Sequence, residues 1–358
     1  MNPVSMSDIA RAAGVSKNTV SLALRKDPQI PVKTRARIAG IARRLGYRRN
    51  PVVGELMARL HSGGIRRFQS TLALINAHPD EDAFSSHPTI PVYVKGCQRR
   101  AVELGYKLDI FWMHRPGFSA ARWIQIFKAR GIPGGMIVGL MRENRIQSGF
   151  LPVIEAFPFV VTGVRTRDPA LSFACADHYM VALRAFEKVR ALGFRRPGLV
   201  LDGEIDALVD HRFSAGYRTG QEMLPPGRRL RPFFDIQGAR GDRGVFEAWL
   251  ASQKPDVIFT LYNEVKDWIG QRAVGKPPEI ALVQYEWREQ NPEWSGMNQH
   301  NDLAGQAAVD MLVGMLHRGE RGPPPFPLAT LVGPTWMDGI PRPASGAADR
   351  DRVRPQNH

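Results

Sequence analysis

Cysteine is nearly absent from this chain, which has two in 358 residues, Cys97 and Cys175. They stand alone, so no Cys-x-x-Cys ligand pair and no disulfide framework can be built. Two buried free thiols in a reducing compartment are expected instead. The nine histidines show no zinc spacing, so neither a metal nor another cofactor is expected. No apolar run approaches the ~20 residues that cross a bilayer. The N-terminus has no apolar stretch of the secretory kind. A cytoplasmic protein with no membrane partner is therefore expected. Catalytic signatures are missing too: there is no glycine-rich phosphate loop and no nucleophile elbow. Arg240-Gly241-Asp242 reads as a chance tripeptide in a glycine-rich turn. Acidic residues are in deficit, 34 against 49 Lys and Arg, for a net charge of +15. At 43% hydrophobic, the chain is long enough for two or three domains with real cores.

The positive excess is not spread evenly. Residues 1–67 hold 14 Lys and Arg against Asp8, Asp27 and Glu55, a net of +11, which leaves +4 for the rest. The same segment carries helix signals. Ser5-Met6-Ser7-Asp8 is a capping-box pattern. Ala10 is small enough for a second helix to approach, and Gly14 can take the left-handed turn that ends the first helix. Ser16 can cap a helix over 17–24 whose Val20 and Leu24 face inward at i, i+4 spacing, leaving Lys17, Asn18 and Ser21 outward. A third helix places Ile38, Ile41, Ala42 and Leu45 on one face and most of its arginines off it. Leu45-Gly46-Tyr47 stops it. This is a helix-turn-helix with a supporting helix and a polar, basic outer surface, as reading a DNA duplex requires.

Asp8-Ile9-Ala10, Ala13-Gly14-Val15-Ser16, Thr19-Val20-Ser21, Thr34-Arg35, Leu45-Gly46-Tyr47 and Asn50 together resemble the N-terminal signature of the LacI/GalR (lactose-repressor) family of bacterial regulators. The resemblance implies a homodimer whose two heads read a pseudo-palindromic double-stranded DNA operator. Lys17 and Asn18 would then read base edges, and Ser16, Thr19, Ser21 and Asn50 would touch phosphates. Asn50-Pro51 opens a helix well. Val52, Val53, Leu56 and Met57 give it an apolar face, like the family hinge helix that pairs in the minor groove, with Leu56 as the wedge. Two positions depart from the family. Val53-Gly54 replaces the usual Ala-Arg, and Gly54 costs the helix ~1 kcal/mol, so a hinge that forms only on DNA is expected. Leu22 stands where an arginine often contacts guanine, and leucine can meet only a thymine methyl.

Beyond residue 69 short apolar runs alternate with amphipathic stretches. Strands are expected near 71–76, 107–112, 135–140, 159–163, 198–202, 257–261 and 280–285. Helices are expected near 91–104, 119–130, 178–192, 206–224, 243–252 and 301–318. That alternation implies parallel sheets covered by helices. Leu104-Gly105-Tyr106 and Leu192-Gly193-Phe194 are similar helix-to-strand junctions, which hints at two related lobes. Pro323-Pro324-Pro325 marks a rigid crossing. Asp177, Arg212, Gly216-Tyr217, Asn263-Glu264, Glu286, Gln299 and Gly305 extend the family resemblance over residues 4–340. The expected fold is thus an α-helical helix-turn-helix head plus an α/β, two-lobed, periplasmic-binding-protein-like domain. The divisions expected are a head at 1–49, a hinge and linker at 50–69, an effector-binding and dimerisation domain at 70–343, and a disordered tail at 344–358.

Ligands bind such sheets at strand carboxyl ends, in the cleft between lobes. Asn76, His78, Phe84, Asp202, Arg212, Asn263, Glu286 and Gln299 fall there and are the candidate effector contacts. Arg212 is expected to pair with Glu286 and offer donors to hydroxyls or a carboxylate. Trp112, Tyr262, Trp268, Trp287 and Trp294 are candidate stacking faces for a sugar. The resemblance implies a transcription repressor controlled by a small-molecule effector, with a carbohydrate the first choice. A transporter's solute-binding protein and a cleft enzyme are the rival readings. The DNA head opposes the first, and the missing catalytic constellation opposes the second.

Overall fold

The computed structural model describes residues 6–24, 30–45, 70–140, 144–270 and 280–339. The chain divides into two compact units, Met1–Arg67 and Phe68–His358. Ser5, Gly46, Tyr47, the hinge positions Asn50, Val53, Gly54 and Leu56, and the tail at 344–358 lie outside the described residues.

In the first unit α1 (Met6–Ala13), α2 (Lys17–Leu24) and α3 (Val32–Arg44) surround one small core. Ile9, Ala10, Ala13, Val20, Ala23, Ile38, Ile41 and Ala42 form it, with Val15, Leu24 and Ile30 packed against its rim. Gly14 turns the chain at φ +63°. Val15 N–H reaches back to the Ala10 carbonyl at 3.1 Å, closing α1 in the Schellman manner. Ser16 Oγ accepts from Thr19 N–H at 3.0 Å and meets Thr19 Oγ1 at 2.8 Å, so the serine caps α2 as expected. Leu45 is a correction. It caps α3 rather than continuing its inner face, and it is exposed.

The second unit contains two sheets. The first has the order β10-β5-β4-β3-β1-β2, built from β1 (Ser70–Asn76), β2 (Tyr106–Trp112), β3 (Gly135–Val138), β4 (Phe159–Thr162), β5 (Phe173–Ala176) and β10 (Ala329–Val332). Every pairing in it is parallel. The second has the order β11-β9-β8-β7-β6, from β6 (Pro197–Val200), β7 (Val257–Thr260), β8 (Ala281–Gln284), β9 (Ser295–Asn298) and β11 (Thr335–Met337). Only β11, at its edge, runs antiparallel. Strands β5, β9, β10 and β11 were not expected. Phe173-Ala174-Cys175-Ala176 and Ser295-Gly296-Met297-Asn298 contain no β-branched residue, and β10 and β11 are short strands at the sheet edges.

The chain crosses between lobes three times. Strand β5 leads into α6 (His178–Ala191), which packs on α8 (Arg212–Glu222) in the second lobe. Strand β9 leads into α11 (Asn301–Arg318), which packs on α4 (Ile90–Glu103) in the first. Strand β10 then leads to β11. The first lobe also carries α5 (Ala120–Arg130), and the second α7 (Gly203–Leu208), α9 (Arg243–Gln253) and α10 (Glu264–Gly270). The single helix expected near 206–224 is broken in two. Asp210 and His211 both take left-handed φ, +55° and +56°, so α7 ends and Arg212 begins a new helix. The junctions at Gly105 and Gly193 are true glycine stops, with φ +82° and +99°.

Helices α4 and α11 touch backbone to backbone through two glycines. A Cβ on Gly96 would lie 2.0 Å from the Asp302 carbonyl, and one on Gly305 would lie 2.3 Å from that of Tyr93. Neither main chain can yield as a side chain would. Gly305→Ala is therefore expected to destabilise this unit by about 1–3 kcal/mol, as overpacking does. Thermal melting of the variant checks this, and an unchanged melting temperature would mean that the helices are free to separate.

Candidate DNA-reading head and interlobe cleft

In the head, the capped turn at Gly14–Ser16 sets the entry of α2, and Val20 and Ala23 anchor its inner side in the core. Helix α2 carries Lys17, Asn18, Thr19, Ser21 and Leu22 on consecutive turns. Ser16 is exposed at its N-terminus and Thr19 is half-buried one turn later. Arg35, Arg43 and Arg44 are carried by α3, the last two in its final turn, where a cation opposes the helix dipole favourably.

In the second unit the carboxyl ends of the two sheets face a cleft between the lobes. The expected effector residues divide into three groups there. Asn76, Asp202, Asn263 and Gln299 have side-chain atoms engaged in positioning the walls. Asn76 Nδ2 donates to the Asp80 and Glu81 carbonyls at 3.1 and 2.9 Å, and its Oδ1 accepts from His78 N–H at 3.0 Å. Asp202 caps α7 by accepting from Glu204 N–H at 2.8 Å. Asn263 Oδ1 accepts from Gln284 Nε2 at 3.0 Å, and Gln299 Nε2 donates to the Tyr285 carbonyl at 2.8 Å. His78 and Phe84 form the second group, in the segment after β1. His78 Nδ1 accepts from Asp80 N–H at 3.0 Å, and Phe84 packs against the first lobe's core.

Glu286 and Arg212 form the third group, and the expected pair between them is a correction. Glu286 is taken up by Arg288 Nη2 at 2.8 Å, by Thr89 Oγ1–H at 2.9 Å and by Asn301 Nδ2 at 3.2 Å. Thr89 begins α4 in the first lobe, and Glu286 follows β8 in the second, so this is a clasp between lobes. Arg288, two residues along an irregular segment, reaches the carboxylate before Arg212 does. His87 Nδ1 accepts from Thr89 N–H and Ile90 N–H at 3.1 and 3.2 Å, which fixes the threonine. Burial, with help from His78 and Arg288, holds His87 below its ordinary pKa and favours that neutral acceptor.

Around the clasp, several buried polar atoms lack a partner among the described residues: Trp287 Nε1, Arg288 Nε, Asn301 Oδ1 and Tyr285 Oη. Orphaned buried donors and acceptors are costly, and a polar ligand or water is the ordinary remedy. Two of the stacking candidates are corrected as well. Trp268 and Trp294 are buried, the first in the core under the second sheet. Trp268 fills an apolar slot there, and Trp294 lies under Lys266 Nζ, 5.3 Å from its ring centroid.

Arg212 instead lines a small interlobe cavity of about 10 Å³. Gly163, Phe173 and Cys175 wall it from the first lobe, and His178, Val209 and Asp210 from the second. His178 packs edge-on against Phe213, with ring centroids 4.9 Å apart. Burial, then the Arg212 charge, push its pKa down to about 3. The unfolded chain takes up this proton near pH 6.5, well above the folded value. The contribution of a neutral His178 is thus complete above pH 6.5 and is lost as pH falls toward 3, by at most ~1.4 kcal/mol per pH unit. Urea melts at pH 7 and pH 5 should show the loss, and His178→Gln should flatten it. An equal pH slope in both proteins would mean that His178 titrates normally.

Thr89, Arg165, His178, Arg288 and Asn301 were not singled out from sequence. Only Thr89-Ile90-Pro91 carried a signal, a capping-type residue ahead of proline in a helix's first turn. Among the described residues no three metal-binding side chains gather, and no helix is long and apolar enough to cross a membrane.

The described residues thus form a capped helix-turn-helix head and a separate two-lobed parallel-sheet domain with a cleft. Residues 5–50 match the family described as "Bacterial regulatory proteins, lacI family". HTH-type transcriptional regulator MalR of Streptococcus pneumoniae serotype 4 is 23% identical over 194 residues, 54% of this chain and 56% of that protein. The chain thus spans about half the length of the curated relatives it matches. Two solved structures share the fold across 94% of this chain and 98% of theirs. One is the transcriptional regulator CelR–cellobiose complex, with 17% identity and a TM-score of 0.57. The other is the Lac repressor dimer bound to operator and the anti-inducer ONPF, with 20% identity and a TM-score of 0.56.

Proposed function

We propose that this protein is a cytoplasmic, homodimeric transcription repressor that binds a pseudo-palindromic operator and releases or holds it according to a small molecule in the interlobe cleft. The observation that carries the reading is the lacI-family head at residues 5–50, joined in one chain to a two-lobed cleft domain. Lys17 and Asn18 read base edges in the major groove, lysine favouring guanine and asparagine adenine, and Leu22 meets a thymine methyl. Ser16, Thr19, Ser21 and Asn50 contact phosphates and set register. Val53 and Leu56 belong to a hinge helix formed on the minor groove, with Leu56 wedged into the central step.

The chain acts by binding and not by catalysis, and its effector is a carbohydrate, the ligand type of the cellobiose complex. Effector binding shifts the balance between lobe arrangements, and with it the operator-competent state. Operator release by an added sugar, followed by fluorescence anisotropy, tests this part. Release that also requires a second protein would count against a direct effector.

Binding should weaken steeply with salt. A head with 14 basic side chains making ~6–10 phosphate contacts loses about 10³–10⁵ in affinity between 50 and 200 mM salt. Titrations of a duplex at several salt concentrations measure the slope. A flat response would remove phosphate contacts as the main source of affinity.

A further inference from the structure

Resting on the effector reading above, we propose that the cleft takes an anionic ligand whose carboxylate or phosphate group pairs with Arg212 and Arg165. The argument is a local charge balance. Arg165 and Arg212 both line the cavity, and Asp210 is the carboxylate in its wall. Asp210 is already shared: Arg167 Nη2 holds one oxygen at 2.9 Å, and Arg165 Nε stands 3.7 Å from the other. The Arg212 guanidinium has no hydrogen bond or ion pair with any described residue, so three guanidinium groups share one carboxylate among the described residues.

The other acids nearby are occupied. Asp206 accepts from Ser214 N–H at 3.1 Å and lies 3.2 Å from His211 Nδ1. Asp177 caps α6 through Met180 N–H, and Glu286 is held in the clasp. The titratable groups in the wall supply no counter-charge. Burial keeps His178 neutral and pushes the Cys175 thiol up to about 12.

Elsewhere in this unit arginines meet their own carboxylates, as in Arg130–Asp109 at 2.9 Å and Arg240–Glu264 at 2.7 Å. Arg212 does not, and it sits beside Phe173, Cys175 and Val209, where a bare cation is poorly solvated. A planar guanidinium fork matches a carboxylate or phosphate in two-point geometry, while a neutral hydroxyl would leave the charge unbalanced. The cavity holds about one water, so a larger ligand enters only as the lobes part. Anion capture is thereby linked to lobe position. The orphaned donors and acceptors at Trp287, Arg288 and Asn301 offer places for the ligand's hydroxyls. The two ends are joined by the stacked rings of Phe213 and Tyr285, 5.3 Å apart, next in sequence to Arg212 and Glu286.

The test uses the full chain and five probes in calorimetry: D-glucuronate, D-galacturonate, glucose 6-phosphate, glucose and galactose. At least one charged probe is expected to bind ten-fold or more tightly than its neutral parent. The carboxylate and phosphate arms tell which group the site prefers. Arg212→Gln should abolish that preference, Arg212→Lys should restore part of it, and Arg165→Gln should weaken it if Arg212 variants misfold. A neutral sugar bound as tightly as its acid, or a preference that survives both glutamine variants, overturns the anionic class while leaving an effector cleft. Binding of none of the five overturns it as well, and operator release then decides the effector reading separately.

Discussion

Val20→Asp is expected to abolish specific operator binding while the two-lobed unit melts as before. Val20 is fully buried in the head's core. A carboxylate placed there finds no polar partner among Ile9, Ala13, Ile38 and Ile41, and stays charged only at a cost of several kcal/mol. A unit of this size holds roughly 0.05–0.15 kcal/mol of stability per residue, so the substitution consumes most or all of it. Without a folded head, α2 is not presented and operator affinity should drop by about a hundredfold or more. Residual binding to any duplex should be weak and strongly salt-dependent. Circular dichroism should show the loss of helix confined to a small amplitude. The later, larger transition belongs to the second unit and should not move. Full operator affinity in this variant would mean that DNA is read elsewhere on the chain.

Glu286→Ala should have the next largest effect. The carboxylate gathers Arg288, Thr89 and Asn301 and so ties the second lobe to the first. Its removal leaves Arg288 without its counter-ion. The arginine is about a quarter exposed and the glutamate about an eighth, so solvent recovers part of the loss, and about 1–3 kcal/mol is expected. The lobes should separate more readily, and effector affinity and the coupling between effector and operator should change together. Thr89→Val removes only the hydroxyl between lobes. A double-mutant cycle between the two positions isolates the clasp energy. Additive effects would show that Glu286 serves Arg288 alone.

Much of this molecule is legible in its sequence. The head was read from local chemistry: a glycine for the left-handed turn, a serine cap, and apolar residues three and four apart. Those signals act within a few residues, and the Gly14 turn and the Ser16 cap form where the sequence places them. The parallel sheets followed from longer apolar runs such as 71–76 and 257–261. Strands β5 and β9 escape notice because they hold no β-branched residue, and β10 and β11 because they are short edge strands. The break at Asp210–His211 was missed because no glycine or proline announces it. The site was legible in position only. Strand ends and family matches drew attention to Arg212 and Glu286, but pairing depends on which side chain arrives first in three dimensions. Arg288 reaches Glu286 from two residues away, Thr89 from 197 residues away in sequence, and no spacing rule relates the second contact.

The central claim is that this chain reads DNA sequence through paired heads. Selection of bound duplexes from a random pool, using the full-length protein, tests it most directly. The account predicts one enriched inverted repeat, with half-sites about one helical turn apart centre to centre, and its loss in Val20→Asp. Enrichment of no sequence, or of a motif that Val20→Asp still selects, would contradict it.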